Sequence, residues 1–381
     1  MKSEQLIAKK ATLGLPEVEK LKKVNPNLIL VFGSVDFFSA KEKGQFLKEQ
    51  FPKATIIGCS TAGEISDKGV ADNSLVVTAM QFDKLDSKSA YHPIKNGEDS
   101  AQCGKDLAAK LKAPNLKTVF VLGRGLDING TALVDGMRSV FGDKVVITGG
   151  LAGDGGAFKK TYTYLNGASY DDHVVAVGFY GEGVKVGYGS VGGWKPFGDT
   201  YTVTKSQNNV MWEIDGKRAL DLYKKYLGEE AKNLPGSGLR FPFALLDKDQ
   251  NQTGIVRTIL DVNEKDGTLT FAGDIPQGAR VRLMQAQNTN LVDGARQAAS
   301  QSVKDDKQHS NGVGILVSCV GRKIVMGDDI DNEVDAVREV LGDNNHITGF
   351  YSYGEICPIS GFTECKLHNQ TMTITWFSDA A

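Results

Sequence analysis

The chain has 381 residues, of which 44 are Lys or Arg and 46 Asp or Glu, a formal net charge of −2 with a pI near 6.3. So balanced a charge gives no long-range field for a phosphate backbone or an anionic lipid surface, which argues against nucleic acid and membrane as partners. Hydrophobic residues make up 41% and charged residues 24%, an ordinary globular composition, and the length allows two or three domains. The 44 glycines against 10 prolines imply many tight backbone turns. The first twenty residues carry charge throughout and lack the apolar core of a secretory signal, so a cytoplasmic location is expected. Five scattered cysteines, Cys59, Cys103, Cys319, Cys357 and Cys365, with no CxxC pair, suit reduced thiols and argue against a structural zinc.

In chain order, 27–32 (NLILVF) reads as a buried strand, 41–51 as a helix and 54–58 as a second strand, a βαβ unit. A Gly-rich loop, strands at 75–82 and 87–92 and a helix at 100–111 follow. The pattern then restarts: a strand at 118–122, a helix at 130–141, a strand at 145–148, another Gly-rich loop, and strands around Tyr162, at 174–180 and at 184–188. A third copy runs through 313–318, a helix at 332–341, a strand at 346–349 and a strand at 371–377. IIGCSTAGEI at 56–65 aligns without a gap on ITGFYSYGEI at 347–356, and ITGGLAGD at 147–154 fits with one deletion that sets Gly153 and Asp154 opposite Gly63 and Glu64.

Between the second and third copies lies different material. It starts at GGWKPFGD (192–199) and continues with a strand at 201–214, a helix at 217–227, the loop NLPGSG and a meander with DG-type turn chemistry; a helix at 290–303 leads into the third copy. The expected fold is α/β with repeated β-α-β-β units, divided into two domains at 217/218, the second carrying the inserted β-meander.

The Gly-Glu loops are the leading candidate site, because glycine lets backbone amides approach a ligand and a carboxylate at a strand end receives an amine or hydroxyl. Gly63, Glu64, Gly153, Asp154, Tyr353, Gly354 and Glu355 are the candidate ligand-binding residues, and the three loops could converge on one pocket. The alternative is that the glycines permit positive φ in a repeated turn while the acids accept backbone amides. Nucleotide signatures fail, since no GxGxxG enters a helix and no GxxxxGK[ST] exists. GCSTAG breaks the GxSxG spacing at Ala62, and Cys59 has no histidine near it in sequence, so no catalytic residue is assigned and an enzyme is not expected.

The histidines are His92, His173, His309, His346 and His368. One neutral imidazole suffices to hold haem iron in an apolar cleft. His173 precedes the apolar run VVAVGFY, and His368 opens HNQTMTITWF, read here as the matching strand of the third copy; either could present its ring at a sheet edge, and either could equally be a hydrogen-bonded residue at a strand end. The Cys357-Pro358 pair is a further thiolate candidate, explained as well by a turn.

Taken together, GCSTAGEI, GGLAGDGG, VGGWKPFG, VTKSQNNVMWEIDGKRALDLYKKYLG, FYSYGEICP and LHNQTMTI resemble the FIST sensory proteins, with N-terminal and C-terminal halves both represented from about Asn27 to Phe377. The resemblance implies an intracellular small-ligand sensory module. A chain with both halves and no transmitter is similar to the stand-alone haem-binding FIST proteins that sense nitric oxide and act on a separate histidine kinase or diguanylate cyclase. It therefore implies haem as cofactor, with His173 the favoured metal ligand over His368, which belongs to the family's HNQT motif. The family's broader reading, a haem-free receptor for an amino acid or other small polar metabolite, is the alternative.

Overall fold

A computed structural model describes residues 1–9, 13–306, 311–359 and 364–380; His309 lies outside them. The first unit comprises β1 (Lys2–Lys9), α1 (Leu15–Lys22), β2 (Leu28–Gly33), α2 (Val35–Ser39), α3 (Lys41–Gln50), β3 (Thr55–Ser60), the hairpin β4 (Glu64–Ser66) and β5 (Gly69–Ala71), and β6 (Ser74–Gln81). The second repeats that order: β7 (Ser87–Pro93), α4 (Ser100–Leu111), β8 (Leu116–Gly123), α5 (Gly130–Phe141), β9 (Val146–Leu151), the hairpin β10 (Thr163–Leu165) and β11 (Ala168–Tyr170), and β12 (His173–Tyr180). The third opens with β13 (Val184–Val191) and is then interrupted by an insertion of β14 (Lys195–Gln207), β15 (Val210–Ile214), β16 (Lys217–Arg218), α6 (Ala219–Leu227), β17 (Phe243–Leu246), β18 (Gln252–Arg257), β19 (Ile259–Asn263), β20 (Thr268–Phe271) and β21 (Arg280–Gln285). It resumes with α7 (Asn288–Ser302), β22 (Val313–Cys319), α8 (Val320–Met326), α9 (Asp331–Leu341), β23 (His346–Ser352), the hairpin β24 (Gly354–Pro358) and β25 (Cys365–His368), and β26 (Met372–Asp379).

Each unit builds four strands of a six-stranded mixed sheet, and each sheet is completed by a hairpin from another unit. The strand orders are β1-β6-β2-β3-β10-β11, β7-β12-β8-β9-β24-β25 and β13-β26-β22-β23-β4-β5. The first unit's hairpin thus extends the third sheet, the second unit's the first sheet, and the third unit's the second sheet. The parallel pairs β2/β3, β8/β9 and β22/β23 stand in one register, Val31 beside Gly58, Val121 beside Gly149 and Leu316 beside Gly349. At these three glycines a Cβ would lie 2.0, 1.8 and 1.9 Å from the partner's carbonyl oxygen, so the repeated glycine is dictated by close approach of the strands.

Alternation along the first strands sorts the core. Leu28, Leu30 and Phe32, with Phe120 and Leu122 and with Val313, Ile315 and Val317, point inward to one cluster shared by all three units. Ile29 and Val31 point outward onto α1 and the α2–α3 pair, as Val119 and Val121 do onto α4 and α5. The helices are bounded as their sequences require: the Asn129 side chain accepts from the Ala132 amide at the start of α5, and Gly142 and Gly342, both with positive φ, follow α5 and α9.

The insertion forms an eight-stranded antiparallel sheet with α6, and its own core includes Val203, Tyr223, Phe243 and Phe271. The strand expected at 201–214 is two strands joined at Asn208, whose φ of 51° makes the turn, and the expected 217/218 boundary falls on β16 within this insertion. β1, α1, α2, the β4–β5 hairpin and α8 are among the elements additional to the sequence reading: β1 is too charged to show apolar alternation, yet it pairs along the whole of β6. Among the described residues no helix is long and apolar enough to cross a membrane.

Gly349→Ala forces a methyl group into a backbone carbonyl and is expected to cost about 3 kcal/mol of stability by denaturant titration. Gly236→Ala, where no atom lies within 4 Å of the added carbon, is the control and is expected to stay within about 0.5 kcal/mol.

Candidate functional site

The three Gly-Glu segments meet near the carboxyl ends of the parallel strands, the usual location of ligands in open α/β sheets. They meet through backbone hydrogen bonds. Gly153 and Ser60 exchange bonds, amide to carbonyl at 2.9 Å and hydroxyl to carbonyl at 2.7 Å. The Ala62 amide donates to the Tyr351 carbonyl and the Tyr351 amide to that of Gly63, each at 2.8 Å. Gly153 permits this contact, since a Cβ there would sit 2.6 Å from the Ala62 nitrogen.

Glu64 and Glu355 are buried and occupy equivalent places. Glu64 accepts from the Thr61 hydroxyl, from the Ser74 amide at 2.9 Å and from the Ser74 hydroxyl at 2.7 Å. Glu355 accepts from the Ser352 hydroxyl at 2.7 Å and the Thr371 amide at 3.3 Å. Each carboxyl thus clasps the start of an exported hairpin to the start of its own unit's last strand. Burial pushes both upward, Glu355 to about 8, against the lowering effect of their hydrogen bonds.

The second unit differs from its expected alignment. By sheet register the counterpart of Glu64 and Glu355 is Thr163, opposite Cys59 as Glu64 is opposite Phe350 and Glu355 opposite Gly150. Extra loop residues separate Gly153 from that position, so Asp154 stands in the loop. Its carboxylate accepts the amides of Phe158, Lys159 and Lys160 at 2.8, 2.6 and 2.9 Å and the Tyr353 hydroxyl. Burial alone would raise Asp154, but these four donors hold it below the usual carboxylate range.

The loops therefore do not share one pocket. Gly63, Glu64 and Asp154 line a polar cavity of about 350 Å³, together with Asp72 and Lys323. Lys323 donates to the Ala62 carbonyl at 3.0 Å and pairs with Asp72, while φ at Gly63 is 138° and a Cβ there would meet the Lys323 amine at 2.6 Å. Tyr353 lines a second cleft, whereas Gly354 and Glu355 line neither space.

That second cleft, of about 380 Å³, opens between the second and third units beneath the insertion. Leu126, Ile128 and Leu151 come from the second unit, Leu239, Ile259 and Phe271 from the insertion, and Cys319, Val320 and Gly321 from the third. Phe158, Leu260 and Ile324 surround its mouth, respectively 51%, 47% and 56% exposed, three of the five exposed large hydrophobic residues among those described. Phe158 stacks on Tyr353 with ring centroids 4.3 Å apart and planes 13° from parallel. Among the described residues, two buried atoms of the lining residues, Thr258 Oγ1 and Asn369 Oδ1, have no hydrogen-bond partner, and neither do the neighbouring His368 Nδ1 and Gln370 Oε1. Such a concentration of unsatisfied groups marks a place where water or a ligand belongs. Sequence reading missed the cleft because its walls come from many segments spread between Gly125 and Asn369; Asn369 was visible only as part of LHNQTMTI.

Cys319 ends β22 just before α8, with its thiol pushed upward by burial and by neighbouring Glu355. Cys59 and Cys357 are fully buried thiols, likewise pushed upward by burial, and the Cys357 sulfur lies 3.7 Å from the Gly189 carbonyl and beside Ser190, so neither is offered to a ligand.

The two histidine candidates are not equivalent. His368 lies on β25 opposite Glu355, rather than on the last strand, and is fully buried. Its Nε2 donates to the Cys357 carbonyl at 2.9 Å, and burial lowers its pKa to about 4. It lines neither the cleft nor the polar cavity, and its side chain is enclosed by protein. His173 opens β12 at the register of Ser74 and Thr371, and the Thr163 hydroxyl donates to its carbonyl at 3.1 Å. Its Nδ1 lies 2.5 Å from Asp172, its ring packs against Tyr170 with centroids 4.3 Å apart, and its Nε2 has no protein partner among the described residues.

Residues 27–217 match the FIST N domain family and residues 219–358 the FIST C domain family. The chain is 25% identical over 305 residues to an uncharacterized protein of Methanocaldococcus jannaschii, an alignment covering 73% of this chain and 57% of that protein, so it spans little more than half that relative's length. A solved cyanuric acid hydrolase from A. caulinodans aligns over 100% of this chain and 99% of its own at 9% identity, and its TM-score of 0.38 decides nothing about activity.

A carboxyl with a folded pKa near 8 contributes stability that is complete below its ordinary 4.5 and is lost as pH rises through 8. Between about pH 5 and 9 the wild type is therefore expected to lose stability relative to Glu355→Gln, which cannot ionise. Parallel denaturation midpoints for the two proteins across that window would show Glu355 to be ordinarily ionised.

Proposed function

Because the chain belongs to the FIST family, whose domains are small-ligand sensing modules of signalling proteins, we propose that it is a cytoplasmic sensory protein whose ligand enters the cleft under the insertion. The observation that carries this reading is the ring of Phe158, Leu260 and Ile324 around a cavity with unsatisfied polar atoms in its wall. Exposed apolar side chains from three chain segments converging on one mouth describe a surface that something covers. The bound state is passed to a separate histidine kinase or diguanylate cyclase, with no chemical step on the ligand.

α8 provides the means of response. Val320, Gly321 and Ile324 face the cleft, while Lys323 on the same helix reaches Ala62 and Asp72 in the first unit. Arg322 anchors the helix through a fully buried pair with Glu333 at 2.7 Å and bonds to the carbonyls of Gly192 and Leu291 at 2.6 and 2.9 Å. A ligand pressing on α8 moves Lys323 against the first unit's Gly-Glu loop. It shifts a population only insofar as it binds one position of the helix better than another.

In a thermal-shift screen of small aromatic and polar metabolites, compounds that raise the wild-type melting temperature are expected to have at least tenfold less effect at equal concentration on Ile324→Glu, which sets a charge in the mouth. Shifts that persist in the variant place the ligand elsewhere.

A second reading, haem held by His173, is favoured by one observation: the Asp172 carboxylate orients the ring and leaves Nε2 available, the arrangement that supports histidine as a metal ligand. Tyr91 and Tyr170 would flank the group, and bound haem would supply an iron able to take up nitric oxide. The adjoining groove, however, is walled by Lys88, Ser89, Lys110 and Asn166 as well as by the two tyrosines. On this reading reconstituted wild type and His368→Ala both give a stoichiometric Soret band and His173→Ala does not; a wild type that takes up no haem removes it.

A further inference from the structure

The cleft's inner wall limits what it can hold, and this inference rests on the reading that the cleft is the ligand site. Asn369 of the third unit and Thr258 of the insertion line it, and Asn369 Oδ1 and Thr258 Oγ1 are buried atoms without a hydrogen-bond partner among the described residues. Asn369 Nδ2 already donates to the His368 carbonyl at 2.9 Å, so the amide cannot turn over without placing oxygen against oxygen. The free atom is therefore an acceptor, and it calls for an N–H or O–H donor. Among the described residues the one charged side chain lining the cleft is Asp127, which is held by Arg124 at 2.9 Å with its carboxylate largely exposed. An ion drawn into the interior would lose its hydration and meet no opposite charge. Beside the acceptors the surface is apolar and partly aromatic, with the Phe158–Tyr353 stack at one side.

We infer that the cleft takes an uncharged aromatic or heteroaromatic molecule of one or two rings, with an N–H or O–H donor directed at Asn369 and Thr258 and its flat apolar body toward Phe158 and Ile324. On this reading a free amino acid, carrying both charges at neutral pH, binds far more weakly than an uncharged ring, because its carboxylate finds no cation in the lining. A cavity of about 380 Å³ accommodates a bicyclic body. The donor confers selectivity, because an analogue that fits the same space without it leaves the buried Asn369 Oδ1 unpaired.

The test uses indole, 1-methylindole and L-tryptophan as probes, titrated calorimetrically into the full chain. Indole is expected to bind, 1-methylindole about tenfold more weakly, and tryptophan not measurably. Asn369→Leu, checked for an unchanged circular dichroism spectrum, is expected to bind the two indoles equally; Thr258→Val serves as a second variant should Asn369→Leu fail to fold. Equal binding of the two indoles by wild type, tighter binding of tryptophan than of indole, or no binding of any probe overturns the assignment of ligand class. Indole binding undiminished in Ile324→Glu overturns instead the cleft itself as the site. The two failures are thereby distinct.

Discussion

A parallel strand pair at the edge of a sheet leaves a row of amides and carbonyls unpaired, and in this protein each such edge is covered by a hairpin that belongs to another unit. The rest of the structure depends on that exchange. It brings the Gly-Glu segments together, because each hairpin has to leave its own unit at the end of the second parallel strand and cross to a neighbour. It also explains the buried acids. A departing hairpin pulls away from the last strand of its own unit, and Glu64 and Glu355 hold the two together by accepting donors from Ser74 and Thr371. In the second unit a neutral Thr163 hydroxyl does this through the His173 carbonyl, and Asp154 is left to organise the longer loop that carries Phe158.

Three similar units would offer three similar junctions, and the insertion breaks that equivalence. By lying across the junction of the second and third units, it turns one gap into a cleft with an apolar roof. Where the first unit meets the other two, a polar cavity remains with Asp72, Asp154 and Lys323 in its wall. α8 separates the two spaces and contributes to both. The buried Arg322–Glu333 pair gives this short helix a fixed attachment, with Ser318 and Tyr351 hydroxyls satisfying the other Glu333 oxygen at 3.0 and 2.7 Å. A charge pair removed from water in this way is better suited to fixing one arrangement than to adding stability.

Much of this was legible in the sequence. Gly58 and Gly349 stand in matching segments because a parallel neighbour leaves no space for a side chain, and that constraint made the repeat visible. The mixed strand and helix order followed from the apolar runs of the first strands and the amphipathic spacing of helices such as 130–141. The hairpin exchange was not legible, since β4 and β23 pair Ile65 with Gly349 and nothing local to either segment names its partner. Asp154 was misaligned because Gly-Asp mimics Gly-Glu, whereas the register is set by Thr163 farther along. His368 was assigned to the wrong strand for a related reason: β25 and β26 are separated by only a short turn, so their residues read as one continuous run.

The exchange also imposes a schedule on the growing chain. The third sheet incorporates β4 and β5, made early, beside β23, made late, so the first hairpin must wait for most of the chain to be synthesised before it finds its place. The first sheet likewise stays incomplete until the second unit's hairpin arrives. No unit can finish before the others, and contacts of such long sequence separation are slow to form. A molecule assembled this way gains its last and first segments together, so its folding is governed by ring closure rather than by the serial maturation of independent domains, and its early segments depend on what shields them in the interval.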